Sequence, residues 1–243
     1  SRSASFVLTI AVCSFFVVLS VFSGLKNFGA NYSKAFDPEI KISSLGAKHF
    51  IIADSLFEKI KRVPEISFVS KVLEEKILVQ NEENNGFAFL IGVDESYNSV
   101  LEIDSVISVG KWLNPSLKNL EAVVSYDLAD RLNLGLFNYG GGLTVLVPSK
   151  NSRNNLFKKA FSSTTYMVSG VFNSSEASDQ KTVFTSISSA RKLLSLENEA
   201  VSSIIIKITS KANAISVLAK LKKIIGPNPV SYTHLRAHET RRY

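Results

Sequence analysis

The sequence predicts an α+β fold: an N-terminal transmembrane helix followed by a mixed α/β domain with an inserted β-rich subdomain. Three observations lead there. Residues 3–25 run without a charge between Arg2 and Lys26, centred on FVLTIAVCSFFVVLSVF. The body that follows alternates segments of helical and strand periodicity with no regular βα repeat, the pattern of mixed short strands rather than a doubly wound sheet. Cys13 is the single cysteine of 243 residues, so no disulfide framework holds the chain. With 45% hydrophobic and 20% charged residues, the chain can bury enough apolar surface to offset its ordering entropy, which excludes a disordered protein.

The apolar run comes first. At about 1.5 Å per residue it reaches roughly 34 Å, against a hydrocarbon core of about 30 Å. Ser5, Thr9, Ser14 and Ser20 can return hydrogen bonds to carbonyls one turn back and are tolerated in lipid. A cleaved signal peptide has a shorter apolar core, and a buried soluble helix is seldom apolar on every face over this length. Residues 1–25 are therefore expected to be a retained transmembrane helix with Cys13 in mid-span. Its Phe15, Val18, Leu19, Phe22 and Leu25 are the expected lipid- or substrate-facing residues. Residues 26–36 continue it as a stalk, because Leu25, Phe28, Tyr32 and Phe36 recur near the helical period. Asp37-Pro38 ends it, since the proline ring disfavours helix in the residue before it.

The mixed domain is expected over residues 37–230, with its inserted β-rich part at about 99–183. Residues 39–43 (EIKIS) alternate as a strand. Asp54 is placed to cap a helix that turns Leu56, Phe57 and Ile60 inward and stops at Pro64. Residues 66–71 and 76–80 read as strands, followed by the turn-rich NEENNG and a strand over 87–93, a hairpin signal. Residues 144–147, 166–172 and 183–185 read as further strands, 126–132 and 187–196 as short helices, and 203–209 (SIIIKIT) as a buried strand. The last helix, about 212–225, presents Ile215, Leu218, Leu221 and Ile225 on one side and ends at Gly226-Pro227. After it the composition changes. Residues 231–243 (SYTHLRAHETRRY) hold two of the three histidines and turn from lysine to arginine. They resemble translated sequencing-adapter read-through and are expected to be a non-native tail on a fragment of a longer protein.

Chemistry-bearing motifs are missing. Gly140-Gly141-Gly142 is not followed by Lys-Ser/Thr, so it lacks the phosphate-loop spacing. Outside the tail His49 is the only histidine and has no cysteine near it, which leaves no zinc set. There is no Gly-x-Ser-x-Gly elbow. Asp94-Glu95 and Glu74-Glu75 are adjacent and so point to different sides of a strand, unsuited to paired acid–base work. No catalytic residue, metal site or cofactor is expected. The net charge of +7 comes from scattered lysines without an aromatic-basic platform, which argues against nucleic acid and suits an anionic membrane lipid surface.

One ordered set of segments carries a resemblance. Residues 19–43 (LSVFSGLKNFGANYSKAFDPEIKIS) are followed in order by 72–76 (VLEEK), 91–94 (IGVD), 108–111 (SVGK), 122–135 (AVVSYDLADRLNLG), 143–148 (LTVLVP) and 168–172 (VSGVF). Together they resemble the lipoprotein-releasing ABC transporter permeases of the LolC/LolE type, which have a MacB-like periplasmic core and belong to the FtsX-like permease superfamily. The resemblance covers about residues 4–230. It departs at Ser23, where an Asn-Gly pair is usual, at Ser125, where glycine is common, and at the triple glycine, where Gly-Asp is usual.

What the resemblance implies is a non-enzymatic permease half in the bacterial inner membrane, with most of this chain in the periplasm. It implies four protein partners: a cytoplasmic ATP-binding subunit, a second permease copy or homologue, a lipoprotein substrate and a periplasmic lipoprotein chaperone. In family members of the C type a loop reaches out to that chaperone. The matching interval is 149–165, where Leu156, Phe157 and Phe161, with Arg153, Lys158 and Lys159 around them, are the expected contacts. A MacB-like export or mechanotransmission permease, and a single-pass membrane-anchored binding or sensor module, are the alternatives.

Overall fold

The computed structural model describes residues 2–34, 38–44, 46–82, 84–115, 120–136, 142–148, 161–173, 181–210 and 212–226. The tail and part of the expected partner loop lie outside these residues. Helix α1 (Arg2–Lys34) is continuous over 33 residues, so the apolar span and the described part of the stalk, 26–34, form one helix. Past Leu25 it continues for roughly 14 Å at the rise of an α-helix.

Strand β1 (Ile40–Ser43) follows as expected, burying Ile40 and Ile42 on one face. A short strand β2 (Phe50–Ile51) leads to α2 (Asp54–Lys61). Here the sequence reading needs correction: the N-cap is Ala53, with no side-chain bond, and Asp54 is already inside the first turn. Its carboxylate still suits the positive end of the helix, but it turns to Lys71, 2.9 Å away.

The two strands expected within 66–80 are one, β3 (Ile66–Asn81), 16 residues long. Glu74 and Glu75 do not break it, because both are partnered. Lys41 lies 3.6 Å from the Glu74 carboxylate, and His49 Nε2 lies 3.2 Å from that of Glu75, which also pairs with Lys48. Ser202 Oγ accepts from the Glu74 amide at 2.9 Å and donates to its carbonyl at 3.1 Å, standing in for a ladder partner. The hairpin to β4 (Asn84–Val93) turns between the paired Asn81 and Asn84, so the Asn84–Gly86 end of the expected turn is strand instead. Glu82 takes a left-handed φ of 48° there.

Helix α3 (Tyr97–Leu101) and a 3-10 turn (Ile103–Val106) lead into β5 (Ile107–Gly110). Then come β6 (Glu121–Ser125), α4 (Tyr126–Arg131), β7 (Leu143–Pro148), β8 (Phe161–Phe172), β9 (Thr182–Ser186) and α5 (Ile187–Leu194). Strands β10 (Ala200–Val201) and β11 (Ser203–Ile208) and helix α6 (Ala214–Ile225) complete the order. The inward stripe of α6 is Val217 and Leu221, whereas Ile215 is 68% exposed. Asn213 sets that phase by accepting the Ile215 amide at 2.9 Å as the N-cap.

Among the described residues, nine strands form one sheet in the order β1-β11-β3-β4-β9-β6-β8-β5, with β7 pairing both β3 and β8. That double pairing closes β3-β4-β9-β6-β8-β7 into a six-stranded ring. The pairs β4/β9 and β6/β8 are parallel and the others antiparallel. Ile77, Val79, Ala88, Leu90, Val124, Leu143, Val145, Tyr166 and Val183 share the enclosed face and form its core. This core continues between α2, α6 and the β1-β11-β3 end. A second core, of Val72, Val93, Phe172, Phe184 and Ile205, lies on the opposite face. It is roofed by α3 and by Trp112, whose ring stacks on Tyr97 at 6.1 Å and meets Phe184 edge-on at 5.1 Å.

Candidate functional site

Two surfaces carry the residues singled out by the sequence. The first is α1. Phe15, Val18, Leu19, Phe22 and Leu25 stand at i, i+3, i+4, i+7 and i+10, one stripe of the helix, and all are exposed. Ser5–Leu25 is long and apolar enough to cross a membrane, with none of its side chains covered by the rest of the chain. Thr9 Oγ1 donates to the Ser5 carbonyl at 2.9 Å, the back-bond expected of a hydroxyl in an apolar helix. A shallow groove on the helix is lined by Thr9, Ile10, Cys13, Ser14, Val17 and Val18, so it borders that stripe at Val18.

The second surface is the outside of the ring. Of the five expected contact residues, Arg153, Leu156, Phe157 and Lys158 lie outside the described residues. Phe161 opens β8 opposite Pro148 and is 47% exposed. Strand alternation explains what lies beside it. In β7, Leu143, Val145 and Val147 point into the core, so Leu146 and Pro148 point outward. Leu146 is directly opposite Leu78 of β3, which is directly opposite Phe87 of β4. Phe87 is 66% exposed, with the Lys76 ammonium 5.4 Å from its ring centre. An apolar row therefore crosses three strands and reaches the strand ends that bracket residues 149–160. Leu78, Phe87 and Leu146 were not singled out from the sequence. The signal was present: apolar side chains at positions where the alternation calls for polar ones.

The charged residues form a structural network. Asp94, at the end of the IGVD segment, accepts from Ser70 Oγ at 2.6 Å, from the Lys71 amide at 2.8 Å and from the Ser96 amide at 3.1 Å. The Lys71 ammonium lies 4.5 Å from the Phe57 ring centre, and its hydrogen bond and charge hold the Asp54 carboxyl below its usual range. Arg191 of α5 donates through Nε to the Ala200 carbonyl at 2.9 Å. Its burial pulls the guanidinium pKa down, against the favourable charges of Asp94, Asp54 and Glu199. Burial raises the hydroxyl pKa of Tyr97 and of Tyr166, the latter against its 2.9 Å bond to Ser189. Among the described residues no cluster of His, Cys, Asp or Glu could hold a metal ion. The hydrogen bonds of this network cross-link elements, while Arg191 Nη2 is buried without a hydrogen-bond partner among the described residues.

A mixed α+β domain built behind a helix of membrane-spanning length defines the class of this chain. Residues 4–224 match the family model of the MacB-like periplasmic core domain, and the chain belongs to that family. It is similar to the lipoprotein-releasing system transmembrane protein LolC of Buchnera aphidicola subsp. Acyrthosiphon pisum (strain APS), at 24% identity over 173 residues. That match takes in 71% of this chain and 41% of the relative, so the chain spans about two fifths of that protein's length. Among solved structures, the extracellular domain of the noncanonic ABC-type transporter YknZ from Gram-positive bacteria shares the fold. Its TM-score is 0.56 at 11% identity, over 80% of this chain and 99% of that one. The periplasmic region of MacB from Actinobacillus actinomycetemcomitans gives 0.54 at 14% identity, over 76% and 80%. The expected fold class, and the expected kinship with MacB-like permease domains, are borne out.

Proposed function

We propose that this chain is part of the permease subunit of an ABC transporter that releases lipoproteins from the bacterial inner membrane. The observation that carries the reading is the family match over residues 4–224, which runs through α1 and the folded domain as one unit. The choice of lipoprotein as cargo rests on the likeness to LolC. In this reading α1 anchors the chain and the domain stands in the periplasm, raised from the bilayer by the part of α1 beyond Leu25. The helix stripe of Phe15, Val18, Leu19, Phe22 and Leu25 receives acyl chains leaving the outer leaflet. The groove of Thr9, Cys13 and Val17 seats another helix of the permease or of its second copy or homologue. ATP hydrolysis belongs to a separate cytoplasmic ATP-binding subunit.

Hand-over to the periplasmic chaperone falls to the 149–165 segment, with Leu156, Phe157 and Phe161 as apolar anchors and Arg153 and Lys158 beside them. The row of Leu146, Leu78 and Phe87 extends that apolar surface onto the sheet. The test is reconstitution of the complete permease with its ATPase in liposomes carrying a lipoprotein, followed by ATP-dependent transfer to soluble chaperone. Transfer that falls at least tenfold in the Leu156→Asp/Phe157→Asp double variant, with ATPase activity kept, supports the reading. Transfer equal to wild type overturns the docking assignment, and ATP hydrolysis without any lipoprotein release overturns the cargo.

A MacB-like export or mechanotransmission permease is the second reading, since the family match is shared with that group. ATP-dependent movement of a soluble substrate in the same liposomes would favour it. Three further apolar spans after residue 230 in the genomic reading frame support either permease; a stop codon there supports a single-pass binding module.

A further inference from the structure

We draw no further inference here: the strongest candidate, the open cleft beside the edge strand β5 that Trp112, Glu95, Asp104 and Lys111 line, is a set of mixed charges around one indole ring, and nothing in the structure shows what covers it.

Discussion

Gly92 of β4 lies so close to α5 that a Cβ on it would stand 2.6 Å from the Cβ of Ala190 and 3.2 Å from the Cα of Ile187. The helix rests on bare backbone at the point where β4 passes from the ring core toward Asp94. Gly92→Ala should therefore push α5 outward and cost about 1–3 kcal/mol, the usual penalty of overpacking. Urea unfolding of the detergent-solubilised chain would read this as a lower midpoint. An unchanged midpoint would mean that α5 adjusts freely.

The outward and inward positions of β7 should separate cleanly. Leu143 is fully buried and Leu146 faces outward, directly opposite Leu78. Leu143→Ala should destabilise the fold by about 2–5 kcal/mol through lost burial and a cavity. Leu146→Ser, at a half-buried position, should cost less, about 1 kcal/mol. The same unfolding assay checks both. Equal losses would show that the outer row is covered in the intact protein.

Acid should weaken the contact between α2 and β3. The Asp54 carboxyl is held below the ordinary carboxylate range, first by its hydrogen bond from Lys71 and then by that residue's charge. A carboxyl with a depressed folded pKa adds stability above the unfolded value and loses it as the pH falls through the folded one. Lys71→Met should flatten the acid limb of the stability curve below about pH 4, with little change in its shape at neutral pH. A midpoint-against-pH series from 6 to 2 would show it. An identical acid limb in the variant would remove Lys71 as the cause.

The alkaline limb has a different owner. Burial raises the Tyr97 hydroxyl pKa, so the folded state holds the neutral form and its stability is intact below pH 10. That stability should fall as the pH climbs past 10, and Tyr97→Phe should blunt the fall. Difference absorbance of ionising tyrosine should show the Tyr97 contribution only on unfolding. Titration of that signal in the folded chain would contradict the packing of its ring against Trp112 and Phe184.

Much of this architecture was legible from periodicity and turn chemistry. The uncharged run before Lys26, the alternation of EIKIS and the apolar SIIIKIT correspond to α1, β1 and β11 because each depends on one local pattern. The failures lie where tertiary partners decide. Residues 72–75, between the two expected strands, are strand as well, and there Lys41, Lys48, His49 and Ser202 reach Glu74 and Glu75 from 26 to 128 residues away. Asp54 has the sequence of a cap but is claimed by Lys71. Ile215 has the spacing of the inward stripe of α6, but the Asn213 cap fixes where the helix starts and leaves it outside. β6 is buried along its whole length and β5 is mostly exposed, so neither alternates, and both exist through their pairing with β8. At the candidate surface, Phe15, Val18, Leu19, Phe22 and Leu25 share one stripe because one helix sets their phase. The Leu146–Leu78–Phe87 row joins three strands whose register no local pattern records.

The double pairing of β7 bears on how such molecules tolerate crowding. Each strand of the ring is paired to a neighbour on either flank over part of its length, and among the described residues the strand path ends at β1 and β5, four residues each. A short stub is a poor seam on which to stitch another sheet. Edge-to-edge pairing of two such domains would therefore find only short seams along the described residues. Recognition between them is left to side chains, which can be changed one at a time.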